Sequence, residues 1–189
     1  MSNPGSLPPD SRIISVFGSA SATETTPTYR LAQELGSALA KAGFAVASGG
    51  YGGVMEAVSR GAAEAGGRVI GIIASSLPEK ANRWVQEKIV VEKWEQRLLR
   101  LVAKGDGYAV LTGGTGTLVE LAIVWEMLNK RLLSGCPLVA LGGFWQPVIE
   151  HIEAAEPASR GLIHPMDSVE AAVEIITTKL RNRHRFVEP

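Results

Sequence analysis

Glu120 closes the run Gly113-Gly114-Thr115-Gly116-Thr117-Leu118-Val119-Glu120, and upstream of it lies the segment Trp94-Glu95-Gln96-Arg97-Leu98-Leu99-Arg100. A glycine-rich turn between a strand and a helix leaves main-chain N–H groups pointing outward with no side chain in the way. The first helical turn adds unsatisfied donors and the positive end of the helix dipole, so a phosphate is held there without a lysine. A carboxylate in that first turn lies within reach of the anion, and the dipole favours its ionised form. Such a group orients water, accepts a proton or offsets a developing positive charge, and is poorly suited to donating a proton. An oxocarbenium-like sugar, formed as the bond from ribose to base breaks, is a cation it can stabilise. Thr117-Leu118-Val119-Glu120 also reads as a T-x-x-E capping box, in which the carboxylate only satisfies a backbone donor. Arg97 and Arg100 are three apart and share a helix face. A guanidinium there can pair with phosphate or with Glu120 itself; two solvated arginines are the plain alternative.

The strand-turn-helix device occurs twice. Residues 43–57 read GFAVASGGYGGVMEA and residues 107–121 read GYAVLTGGTGTLVEL, with seven of fifteen positions identical. Gly49, Gly50 and Gly52 match Gly113, Gly114 and Gly116, and Glu56 matches Glu120. In open α/β sheets such turns lie at the carboxyl ends of the strands, so two copies form opposite walls of one cleft. The alternative is that the glycines only permit tight turns and close helix packing.

Other chemistries fit badly. Neither turn carries the third glycine of G-x-G-x-x-G/A, since Val119 takes its place after Gly116, and the strands at 70–74 and 138–142 contain no acidic residue to grip a ribose diol. Redox use of a dinucleotide is disfavoured. No G-x-x-x-x-G-K-[ST], G-x-S-x-G or H-E-x-x-H segment occurs, and His151, His164 and His184 are scattered. No metal site is expected. Cys136 is the only cysteine, which excludes an internal disulfide and a cysteine-clustered zinc site.

The elements that must position these residues alternate in period. RIISVFG, FAVASGG, RVIGIIA, KIVVE, GYAVL and PLVAL are too short for helices. Between and after them, helical periodicity runs through TYRLAQELGSALAKAG, GVMEAVSRGAAEAGG, residues near 93–104, LVELAIVWEMLNKRLL, 145–153 and 168–181. VIGII and PLVAL are apolar throughout, as strands covered on both faces are. The expected fold is an α/β doubly wound parallel sheet, a Rossmann-like three-layer α/β/α domain. It spans residues 12–181, between a loose lead-in at 1–11 and a tail at 182–189. Thr26 before Pro27 is the expected cap of the first helix.

Composition agrees. The 189 residues are 46% hydrophobic and 20% charged, enough for one sizeable core, and 19 basic against 19 acidic residues supply no field for nucleic acid or an acidic membrane. No apolar run approaches a bilayer span and the start lacks a signal-peptide pattern, so a cytoplasmic protein is expected. Apolar helix sequence such as LAIVWEML could form a dimer face.

GGYGGVMEAVSRGAAEAGGRVIGI, an arginine-bearing helix and TGGTGTLVE together resemble the LONELY GUY (LOG) family, whose hallmark is PGGxGTxxE, and the related molybdenum cofactor carrier proteins. The resemblance runs from Arg12 to about Leu180. It implies hydrolysis of cytokinin riboside 5′-monophosphates or AMP to free base and ribose 5-phosphate, with Arg97 and Glu120 catalytic, no cofactor required, and a homodimer. It implies phosphate contacts from the 113–117 turn and from Gly18 and Ser19 after the first strand. The carrier relationship implies a non-catalytic alternative in which molybdenum cofactor is the ligand. The sequence departs from the LOG pattern at Thr112, where the family has proline, and at Leu98, where it has lysine. Some relatives bear a lysine decarboxylase label, for which no lysine is singled out here.

Overall fold

The computed structural model describes residues 11–183. The lead-in up to Asp10 and the tail from His184 lie outside the described residues. Seven strands form one sheet in which every pairing is parallel: β1 (Ile13–Phe17), β2 (Ala45–Ser48), β3 (Val69–Ala74), β4 (Glu87–Val91), β5 (Gly107–Val110), β6 (Leu138–Leu141) and β7 (His164–Met166). Six helices accompany them: α1 (Pro27–Lys41), α2 (Val54–Glu64), α3 (Trp94–Lys104), α4 (Thr115–Asn129), α5 (Gln146–Ala155) and α6 (Val169–Arg183). The spatial order is β4-β3-β2-β1-β5-β6-β7, so the chain winds outward from β1 in both directions and reverses between β1 and β5. Among the described residues no helix is long and apolar enough to cross a membrane.

The strand side chains alternate between two cores, which is what makes the domain three-layered. Ile14, Val16, Val46 and Val69 pack with Leu35, Leu39, Val58 and Ile176 from α1, α2 and α6. Ile13, Phe17, Ile70 and Tyr108 pack with Leu101, Leu121, Val124 and Ile149 from α3, α4 and α5. The expected doubly wound architecture is therefore present. Thr26 caps α1 as expected, its hydroxyl accepting from the Tyr29 N–H at 3.3 Å, with Pro27 at the first helical position.

Three details differ from expectation. β7 was not expected: His164-Pro165-Met166 is short, and its proline is tolerated because β7 is an edge strand with one neighbour. α6 continues to Arg183, past the expected end at residue 181. α4 begins at Thr115, capped by Gly114, so the glycine turn itself winds into the helix.

α1 and α2 cross at backbone contact. A Cβ on Gly61 would lie 1.9 Å from the Gln33 carbonyl oxygen, and one on Gly36 2.2 Å from that of Val58. Neither contact can relax by moving a side chain. Gly61→Ala should therefore destabilise the protein by about 2 kcal/mol or more, read from the urea midpoint at an unchanged slope.

Candidate functional site

The turns after β1, β2 and β5 meet at the carboxyl edge of the sheet, where strand order reverses. Main-chain hydrogen bonds tie them together. The Ser19 N–H donates to the Thr112 carbonyl at 2.9 Å, and the Val54 N–H at the start of α2 donates to the Ser19 carbonyl at 2.8 Å. Between them opens a cleft of about 680 Å³.

At the α4 side, Gly114, Thr115, Gly116 and Thr117 line this cleft. No side chain caps the helix, and a Cβ on Gly114 or Gly116 would meet nothing within 4 Å. The missing side chains at Gly114 and Gly116 leave room for an anion to approach the first-turn amides. Gly18, Ser19, Gly49 and Gly52 line the opposite walls. Gly50 and Gly113 do not reach the cleft. The Gly50 carbonyl instead holds the neighbouring connector, and Gly113 leaves room for Thr117, whose Oγ1 would lie 2.2 Å from a Cβ there.

Arg97 projects from α3 into the floor and is only 6% exposed. Its Nε donates to the Ile72 carbonyl at 2.9 Å and its Nη2 to the Met55 sulfur at 3.4 Å, while its guanidinium carbon lies 5.1 Å from the centre of the Tyr51 ring. The Tyr51 hydroxyl is in turn fixed by the Ala74 N–H at 3.0 Å. Gly49 is what allows this placement, because a Cβ on it would lie 1.4 Å from Nη2. The remaining nitrogen, Nη1, lies 3.9 Å from Glu120 Oε1. Arg97 and Glu120 thus converge beside the glycine turn.

Glu120 corrects the sequence reading in two ways. It is the sixth residue of α4 and lies in the second turn, and with Gly114 as cap there is no capping box from Thr117. It is also only 13% exposed, and burial pushes its carboxyl up to about 7, against the opposing pull of Arg97. Near neutrality it is an acid and a base in comparable amounts, where a permanently ionised group was expected.

Two further expectations part from the cleft. Glu56 lies in the first turn of α2 but outside the cleft, with its charge acting on Tyr29. Arg100 is exposed and away from the cleft although it shares α3 with Arg97. Tyr51, Met55, Leu77, Glu79 and Trp94 line the cleft without having been anticipated. Tyr51 could have been found, since it matches Thr115 in the internal repeat.

The sequence model of the SLOG cluster4 family matches residues 11–173. The chain belongs to the SLOG cluster4 family. Over 180 residues, 89% of this chain and 90% of the relative, it is 29% identical to the cytokinin riboside 5′-monophosphate phosphoribohydrolase of Rhodococcoides fascians. Among solved structures it resembles the molybdenum cofactor binding protein of Rippkaea orientalis, at 28% identity and a TM-score of 0.75 over 90% of this chain and 98% of that one. The molybdenum cofactor carrier protein of Chlamydomonas reinhardtii is similar at 26% identity and a TM-score of 0.74, covering 90% and 99%. The resemblance read from TGGTGTLVE and the upstream turn is therefore borne out at the level of the family.

Proposed function

We propose that the protein is a phosphoribohydrolase that splits the N-glycosidic bond of a nucleoside 5′-monophosphate, AMP or a cytokinin riboside monophosphate, to free base and ribose 5-phosphate. The observation that carries this is the meeting of Arg97 and Glu120 at 3.9 Å beside a glycine turn that has no side-chain cap and has open space where a Cβ on Gly114 or Gly116 would lie. The 5′-phosphate rests on the amides of Thr115, Gly116 and Thr117, across from Gly18 and Ser19. The ribose then lies over Glu120. As the C1′–N bond stretches, positive charge grows on the sugar, and the ionised carboxylate stabilises it. Glu120 takes a proton from the water whose oxygen bonds to C1′, the base departs with the electron pair of the C1′–N bond, and the proton held by Glu120 passes to the base, which restores the carboxylate. Arg97 keeps the carboxylate oriented and, through Nη1, faces the phosphate or ribose.

A binding role is the second reading, favoured by the carrier proteins of similar fold. There the same amides hold the phosphate of molybdenum cofactor and no bond breaks. Under either reading the protein is a cytoplasmic homodimer, joined through the exposed Leu118, Val119, Val148 and Ile152 of α4 and α5.

Chromatography of AMP and isopentenyladenosine monophosphate incubated with the protein should show free base. A folded protein that releases no more base than its Glu120→Ala variant overturns the hydrolase. Any ligand that binds the folded state raises apparent stability, so thermal stabilisation by molybdenum cofactor and not by AMP would establish the carrier instead.

A further inference from the structure

The cleft carries side chains that the phosphate and ribose do not use. Residues 75–86 join two parallel strands, β3 and β4, without a helix, and this connector is pinned at both ends. The Ser75 and Ser76 N–H groups donate to the carbonyls of Val91 and Glu92 at 2.9 and 3.1 Å. The Asn82 N–H donates to the Gly50 carbonyl at 2.8 Å, and the Asn82 side-chain amide donates to the Gly50 and Tyr51 carbonyls at 3.1 and 2.9 Å. Between the pins, half-buried Leu77 and exposed Glu79 line the cleft. Trp94 lines the same cleft, two residues beyond the Glu92 pin, and is 41% exposed.

An indole left open to a cleft offers a flat apolar face on which a planar heterocycle stacks. The charges fix which end of a ligand lies there. Among the cleft-lining residues Arg97 is the one cation and Glu79 and Glu120 are the acids. Arg97 offsets the charge of Glu120 beside the glycine turn, whereas no second cation lines the cleft to offset Glu79, so a phosphate is directed to the glycine turn and the base is left facing Glu79. An ionised carboxylate only accepts hydrogen bonds. A ring amino group in front of it is held, and a bare or carbonyl-bearing edge is not.

We infer that Glu79 selects the base, accepting a hydrogen bond from the exocyclic amino group of an adenine-type ring stacked on Trp94. The inference rests on the nucleotide reading above and adds to it the residue that chooses the ligand. The comparison that isolates it is AMP against purine riboside 5′-monophosphate, which lacks only the amino group. Calorimetry is done on the full chain carrying Glu120→Gln, so that bound nucleotide is not consumed. AMP should bind about tenfold more tightly. Glu79→Ala, added to that chain, should erase the difference, and Glu79→Gln should leave a smaller one because its amide carbonyl still accepts. Trp94→Ala should weaken both nucleotides alike, by about tenfold, and leave ribose 5-phosphate binding unchanged. Equal affinity for the two nucleotides, or a ratio that survives Glu79→Ala, overturns the inference while ribose 5-phosphate binding leaves the phosphate site standing. Absence of ribose 5-phosphate binding overturns the nucleotide reading itself.

Discussion

Glu120→Gln is expected to lower base release from AMP by about a thousandfold, because it removes both the proton acceptor and the charge facing the sugar. The wild-type pH profile should show the same group. The active form is the ionised one and the carboxyl is held up at about 7 by burial. kcat/KM should then fall about tenfold per pH unit below roughly pH 7 and level off above it. The variant makes a second prediction with the opposite sign. A folded-state value of about 7, against the ordinary 4.5, means that the folded protein binds more protons than the unfolded chain between those limits. Wild-type stability from this group is full below about pH 4.5 and is lost as pH rises through about 7. Glutamine carries no such burden. Glu120→Gln should be more stable than wild type by up to about 3 kcal/mol near pH 8 and no more stable near pH 4. Urea unfolding at the two pH values reads this directly. A variant that is inactive and yet more stable at high pH separates a catalytic carboxylate from one that merely braces the fold.

What could be read from sequence was whatever repeats locally. The strand-turn-helix device at 43–57 and 107–121 is one, and the apolar runs of β3 and β6 are another; together they define the sheet and put the glycine turns at its carboxyl edge. Arg97 and Glu120 were legible as types at a spacing, and the fold brings them to 3.9 Å. The state of Glu120 was not legible. It depends on where α4 starts, which is set by how Gly114 and Gly116 wind, and on burial at the cleft floor, which local sequence does not record. Leu77 and Glu79 were invisible for a related reason. Their connector has no periodicity, and it is placed by Asn82 reaching back to Gly50 and Tyr51. β7 escaped because three residues around a proline carry no strand pattern and are held only by pairing with β6.

Arg97→Met should reduce base release by about a hundredfold near neutral pH, and its pH profile should say why. Methionine fills much of the space beside Met55 and Tyr51 but brings no charge to Glu120 and no donor to Ile72. Arg97 is the group that opposes burial in setting the Glu120 carboxyl. Without it the carboxyl should rise, and the break in kcat/KM should move alkaline by about one unit or more. Part of the loss is then recovered near pH 9, where the carboxylate ionises despite its burial. Arg97→Lys keeps the charge and loses the planar fork that bonds Ile72 and faces Glu120 together. Its break should stay close to that of the wild type while its plateau rate falls. The two substitutions thus separate charge from geometry. If the break stayed near 7 in Arg97→Met, the guanidinium would be a clamp on Ile72 and Met55, and the activity loss would have to follow loss of folded protein instead.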